Sequence, residues 1–109
     1  MGEVLKVIGQ VAPAATTQTA LYTVPAATVA TCSTIVVCNQ TNASIKFRAR
    51  VKVGGAADDA KQFLFYDVVV LKNSSFTATI GITLGATDVV AVYTDTANVS
   101  FNLFGVEVS

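Results

Sequence analysis

The residues Ile45-Lys46-Phe47-Arg48-Ala49-Arg50-Val51-Lys52-Val53 alternate apolar and cationic without a break. Successive side chains on a strand point to opposite faces, so Ile45, Phe47, Ala49, Val51 and Val53 form one face and Lys46, Arg48, Arg50 and Lys52 the other. The sheet that receives this strand must have a core side and a polar side. Neighbours in the cationic row sit about 6.6 Å apart, and each pair repels by roughly 0.6 kcal/mol in water before salt screening. The row is tolerable alone, and a complementary acidic surface would turn its cost into a gain.

The remaining segments also read as strands. Residues 19–24, 29–39, 62–71, 76–83, 88–94 and 98–108 are rich in β-branched and aromatic residues and are separated by turn-forming clusters, including Pro25 and the stretches 39–44, 54–61 and 72–75. The turn at 39–44 predicts that strand 45–53 returns antiparallel to 29–39. In 76–83 the alternation turns Phe76, Ala78, Ile80 and Ile82 inward, and in 98–108 an apparent change of parity at Phe104-Gly105 predicts a bulge at the glycine. Residues 1–18 contain a short apolar run followed by Pro13 and small residues, and read as an N-terminal arm, with the folded domain over 19–109. About eight strands with no helical period predict an all-β chain. The expected fold is a single antiparallel β-sandwich, jelly-roll or Ig-like, ahead of a closed barrel.

Composition adds a demand for partners. A hydrophobic fraction of 52% with 13% charged residues is more apolar than the surface of a small free domain. No apolar run reaches the 18 or so residues of a membrane helix, so other protein surfaces are the expected cover rather than a bilayer. Three candidate contacts follow. Val4, Leu5, Val7 and Ile8 would let the arm dock on a neighbouring subunit or an underlying shell, and Phe63, Phe65 and Tyr66 lie in the most apolar stretch and would meet another subunit. Lys46, Arg48, Arg50 and Lys52 would face an acidic partner surface. Nucleic acid is the weakest partner for that row, because the net charge is zero and Phe47 points to the other face. No secretory leader is visible at the start, which implies synthesis in a cytoplasm.

Chemistry is scarce. Histidine is absent, and Cys32 and Cys38 lie about 20 Å apart on an extended strand, too far for a disulfide, so free thiols and no zinc site are expected. Asp58-Asp59 lacks the ligand spacing of a calcium loop and reads as a solvated loop tip. No phosphate-binding loop, nucleophile elbow or paired catalytic carboxylates appear, so neither catalysis nor a metal or other cofactor is expected. Asn-x-Ser/Thr triplets begin at Asn39, Asn42, Asn73 and Asn98, at a frequency a Ser/Thr-rich chain reaches by chance.

Several phrases resemble a group of small virion proteins of tailed bacteriophages. They are Leu21-Tyr22-Thr23-Val24-Pro25-Ala26, Ser33-Thr34-Ile35-Val36-Val37-Cys38-Asn39, Phe47-Arg48, Gly81-Ile82-Thr83-Leu84, Asp88-Val89-Val90-Ala91-Val92-Tyr93 and Val99-Ser100-Phe101-Asn102-Leu103-Phe104-Gly105. The resemblance implies a β-sandwich accessory protein, foremost a capsid decoration or cement protein, with tail, neck or fibre attachment as neighbouring roles. It further implies a homo-oligomer, a trimer first, that binds the major capsid protein or other virion proteins and carries no catalytic residues. A sugar-binding adhesin is the competing reading; lacking tryptophan, it would rest on Tyr22, Tyr66 and Tyr93.

Overall fold

The computed structural model describes residues 2–109. Its strands are β1 (Glu3–Val11), β2 (Thr19–Thr23), β3 (Val29–Asn39), β4 (Ile45–Lys52), β5 (Phe63–Val70), β6 (Ser75–Leu84), β7 (Val89–Thr94) and β8 (Val99–Val108). They form two four-stranded antiparallel sheets in the orders β1-β8-β3-β6 and β2-β7-β4-β5. The pairs β1–β8, β2–β7, β3–β6 and β4–β5 are all adjacent, so the chain is one long hairpin with its tip between β4 and β5. Rolling that hairpin until β8 also meets β3 and β7 also meets β4 produces the sandwich. Of the two expected topologies, this is the jelly roll.

The alternation of β4 explains where the core sits. Ile45, Phe47 and Ala49 are buried, and Phe47 is wholly so, with the ring of Phe76 at 5.3 Å and those of Phe65 and Phe101 at 5.9 Å. Phe47 and Phe65 come from one sheet and Phe76 and Phe101 from the other, so the four rings join the two layers. Tilted and edge-on aromatic pairs add roughly 0.5–1.5 kcal/mol each beyond burial. Val53 lies beyond the end of β4, in a 3₁₀ turn at Val53–Gly55, and is exposed.

Four sequence expectations change. Strand β4 does not return along β3: residues 40–44 cross from one sheet to the other, so β3 pairs with β6 and β8 while β4 pairs with β5 and β7. Residues 1–18 are not a detached arm, since β1 is an edge strand registered on β8 from Glu3↔Val108 to Val11↔Phe101. Deleting residues 1–10 therefore removes most of a sheet strand and uncovers β8. The glycine at 105 does not bulge its own strand either. Val99, Phe101 and Leu103 face inward, Gly105 keeps that parity, and the register breaks lie in the neighbours, between Val7 and Gly9 in β1 and between Cys32 and Thr34 in β3. Finally, Ile80 is 38% exposed, on a stretch where β6 loses register with β3.

The extra residue in β3 reverses its parity. Cys32 is buried on the core side while Cys38 is half-buried on the opposite face, and both thiols are free, as their spacing predicts. Burial pushes the Cys32 thiol up to about 11.

Candidate functional site

The outer face of the β2-β7-β4-β5 sheet carries the cationic row, and the fold surrounds that row with its own partners. Arg48 Nε donates to Asp67 Oδ1 at 2.7 Å, and its guanidinium carbon lies 4.3 Å from the ring centroid of Tyr66 and 4.7 Å from that of Tyr93. Arg50 is buried, with Nη1 3.2 Å from both Gln62 Oε1 and Asp58 Oδ1, and its guanidinium carbon stands 4.1 Å over the Phe63 ring. Lys52 Nζ reaches the same Asp58 oxygen at 3.1 Å. Among the described residues no carboxylate lies within ion-pair distance of Lys46.

The loop at the hairpin tip therefore does more than the solvated tip expected of it. Asp58 folds back to bind Arg50 and Lys52 and accepts a hydrogen bond from Gln18, and Lys52 and Gln18 together hold its carboxyl below the usual range. Asp59 caps the 3₁₀ turn Ala60–Gln62 by accepting from the Lys61 amide, while Gln62 accepts from the Asp59 amide. Replacing Arg48 and Arg50 by glutamate would set like charges against Asp67 and Asp58, so it tests the fold and not a partner contact. Lys46 is the row's one member suited to an external acidic surface.

The predicted subunit contact Phe63, Phe65 and Tyr66 is split by the irregular pairing of β5. Phe65 opposes Ala49 and packs on Phe47 and Phe76 in the core, whereas Phe63 opposes Arg50 and meets Tyr66 ring to ring at 4.8 Å on the outer face. Asp67 takes a positive φ of 53° at this irregularity, which lets its carboxylate turn to Arg48. Leu64, Tyr66, Val69 and Leu71 are exposed along the edge. As a sugar platform the tyrosines are poorly placed: Tyr22 is buried, and one face each of Tyr66 and Tyr93 is taken by Arg48.

The outer face of the other sheet was not singled out in the sequence. Regular alternation in β8 puts Phe104, Val106 and Val108 on it, half-buried, and their partners Val7, Leu5, Glu3 and Val29 extend it across β1 and β3. Leu5 is 84% exposed and Val7 and Val29 about half. Of the four predicted arm residues, Leu5 and Val7 belong to this face; Val4 is exposed on the opposite side, and Ile8 packs against the core. The signal was present in Val106 and Val108, but it depended on the parity of β8.

Where β1 and β2 come together, Glu107 receives Tyr22 Oη at 2.5 Å and Lys6 Nζ at 2.8 Å. The lysine, and then the tyrosine, hold the Glu107 carboxyl below its usual range, while burial and Glu107 keep the phenol protonated well above its own. A carboxylate depressed on folding contributes stability above its unfolded pKa and loses that contribution as the pH falls through its folded value. Asp58, Asp67 and Glu107 are all depressed. Denaturant midpoints are expected to be flat near neutral pH and to fall below about pH 4. Glu107→Gln is expected to shallow that acid limb while lowering the plateau, and an unchanged limb would show that Glu107 has no part in it.

No protein-family model and no curated protein sequence matches the chain. Among solved structures, a pentameric capsid protein isolated from metagenomic phage sequences aligns with a TM-score of 0.42 and 15% identity, over 95% of this chain and 62% of that one. The chain thus spans less than two thirds of the length of that protein.

Proposed function

We propose that this protein is a non-enzymatic structural subunit of a bacteriophage virion, acting as a capsid decoration or cement protein that binds the outer shell and stabilises it. The observation that carries the reading is the outer face of the β1-β8-β3-β6 sheet, where hydroxyl and apolar side chains lie across four strands with little charge. A free domain of this size rarely leaves such a face to water. The resemblance of its sequence phrases, in their order, to small phage virion proteins supplies the biological setting. Jelly rolls also build lectin domains, so the architecture alone does not choose between shell and sugar.

In this reading the subunit is made in the host cytoplasm, self-associates, with a trimer first by the sequence resemblance, and ends in the virion against the major capsid protein or another virion protein. Binding involves neither nucleic acid nor membrane. Lys46 tunes orientation, since exposed ion pairs contribute only about 0.2–1 kcal/mol each, and apolar burial supplies most of the affinity.

The deciding experiment adds purified protein to undecorated heads and counts bound copies by quantitative mass spectrometry. Hundreds of copies per particle, with heads more resistant to heat or chelator, are expected. A few to a few dozen copies would move the protein to the tail, neck or fibres. Binding on a glycan array without binding to particles would replace the proposal by the adhesin reading.

A further inference from the structure

The outward positions of the β1-β8-β3-β6 sheet carry one formal charge, Glu3, at the first residue of edge strand β1. The others, read from register and alternation, are Leu5, Val7 and Gln10 in β1, the alternate β8 residues Ser100, Asn102, Phe104, Val106 and Val108, and Thr- and Ser-rich rows in β3 and β6. Some of its polar groups already pair with one another: Gln10 Nε2 donates to Asn102 Oδ1 at 2.6 Å and Gln40 Nε2 to Ser100 Oγ at 3.2 Å. Burying this face confines charge to Glu3 at one edge, and its polar groups are mostly Ser and Thr hydroxyls, a composition close to that of an interface centre.

From this we infer that copies of this chain associate through the outer face of the β1-β8-β3-β6 sheet. Area and charge both select this occupant. Four strands about 4.8 Å apart and about ten residues long give a flat footprint of roughly 600 Å² before side-chain relief is added, close to the 800 Å² or so that each partner contributes to a standard interface. The exposed strip on β5 is a single strand wide, about a quarter of that footprint, and cannot support a stable oligomer alone. A second copy also brings an identical surface whose one charge, Glu3, lies at its edge. Pairing through the opposite sheet would instead bury Lys46 and the ion pairs Arg48–Asp67 and Lys52–Asp58 against their own copies, at a desolvation cost.

The inference rests on the self-association in the proposed function, and the test separates the two. Light scattering of the purified wild-type chain across a concentration series is compared with Thr31→Lys and Val106→Lys, each placing one lysine at an outward position, and with Lys46→Glu on the other sheet. The wild type and Lys46→Glu are expected to form one discrete oligomer. The two lysine variants are expected to keep the wild-type circular dichroism spectrum and to dissociate towards the 11.3 kDa chain, with association weakened about a hundredfold or more. Should Val106→Lys fail to fold, Thr31→Lys carries the test, because that side chain is already exposed. A wild-type monomer or a polydisperse aggregate overturns both the self-association and the face. An oligomer that survives Thr31→Lys overturns the face alone.

Discussion

Gly105→Ala is expected to lower the unfolding free energy by about 3 kcal/mol or more, making it among the most damaging single-methyl additions available in this chain. A Cβ at this position would stand 2.3 Å from the Thr31 carbonyl oxygen, 2.8 Å from the Cys32 Cα and 2.8 Å from Ile8 Cδ1. Two of those atoms belong to the main chain of β3, which cannot swing aside as a flexible side chain would. The register breaks in β1 and β3 both lie beside this residue, so the missing side chain is what lets the two neighbours close on β8. Gly81 in the same sheet is the matched control, because a Cβ there meets nothing within 4 Å. At about 4–8 °C per kcal/mol for a domain near this size, Gly105→Ala should lose more than about 10 °C in thermal midpoint while Gly81→Ala stays close to wild type. Equal midpoints for the two variants would mean that β3 and β1 can shift, and that the close approach is not required.

Asn39→Ala is expected to cost about 2–4 kcal/mol, because it leaves one buried and several part-buried backbone groups without this partner. The Asn39 side chain is 1% exposed and sits where β3 ends and the chain crosses between sheets. Its Nδ2 donates to the carbonyls of Ala43 at 2.8 Å and of Val70 and Leu71 at 3.1 Å. Its Oδ1 accepts from the Thr41 amide at 2.9 Å and from Thr41 Oγ1 at 2.7 Å. One amide thus shapes the crossover and ties it to the end of β5. Asn39→Asp is nearly isosteric but removes the donors and sets a carboxylate against the carbonyls of Val70 and Leu71, so it should be at least as damaging at neutral pH. Urea titration of both variants measures the effect; a loss under about 0.5 kcal/mol in Asn39→Asp would mean the donor contacts are dispensable. This burial also removes Asn39 from the Asn-x-Ser/Thr triplets available for glycosylation in the folded chain.

The all-β class and strands β2 to β8 are legible in the sequence because each rests on local physics: alternation in Ile45 to Val53, β-branched density in residues 29–39, and breaks at Pro25 and Gly54-Gly55; β1, read as an arm, shows itself only by its pairing with β8. The inward set of β4 was fixed by the same alternation, since Phe47 had no other face to take. What the chain could not declare locally is which strands share a sheet. A polar turn such as residues 39–44 has the same composition in a hairpin and in a crossover, and only the shared core, with Asn39 reaching β5, makes it a crossover. The row Lys46, Arg48, Arg50 and Lys52 is equally plain as a charge pattern, yet its meaning came from Asp58 and Asp67, brought back from elsewhere in the chain by the hairpin tip and the irregularity in β5. Face assignment fails for the same reason wherever a register break intervenes: one residue of slip exchanges the two sides of a strand, as Cys38 shows. Whether Val106 and Val108 lie in the core or on an open face was therefore set by three strands packing around Gly105, a contact between residues distant in sequence that no local pattern encodes.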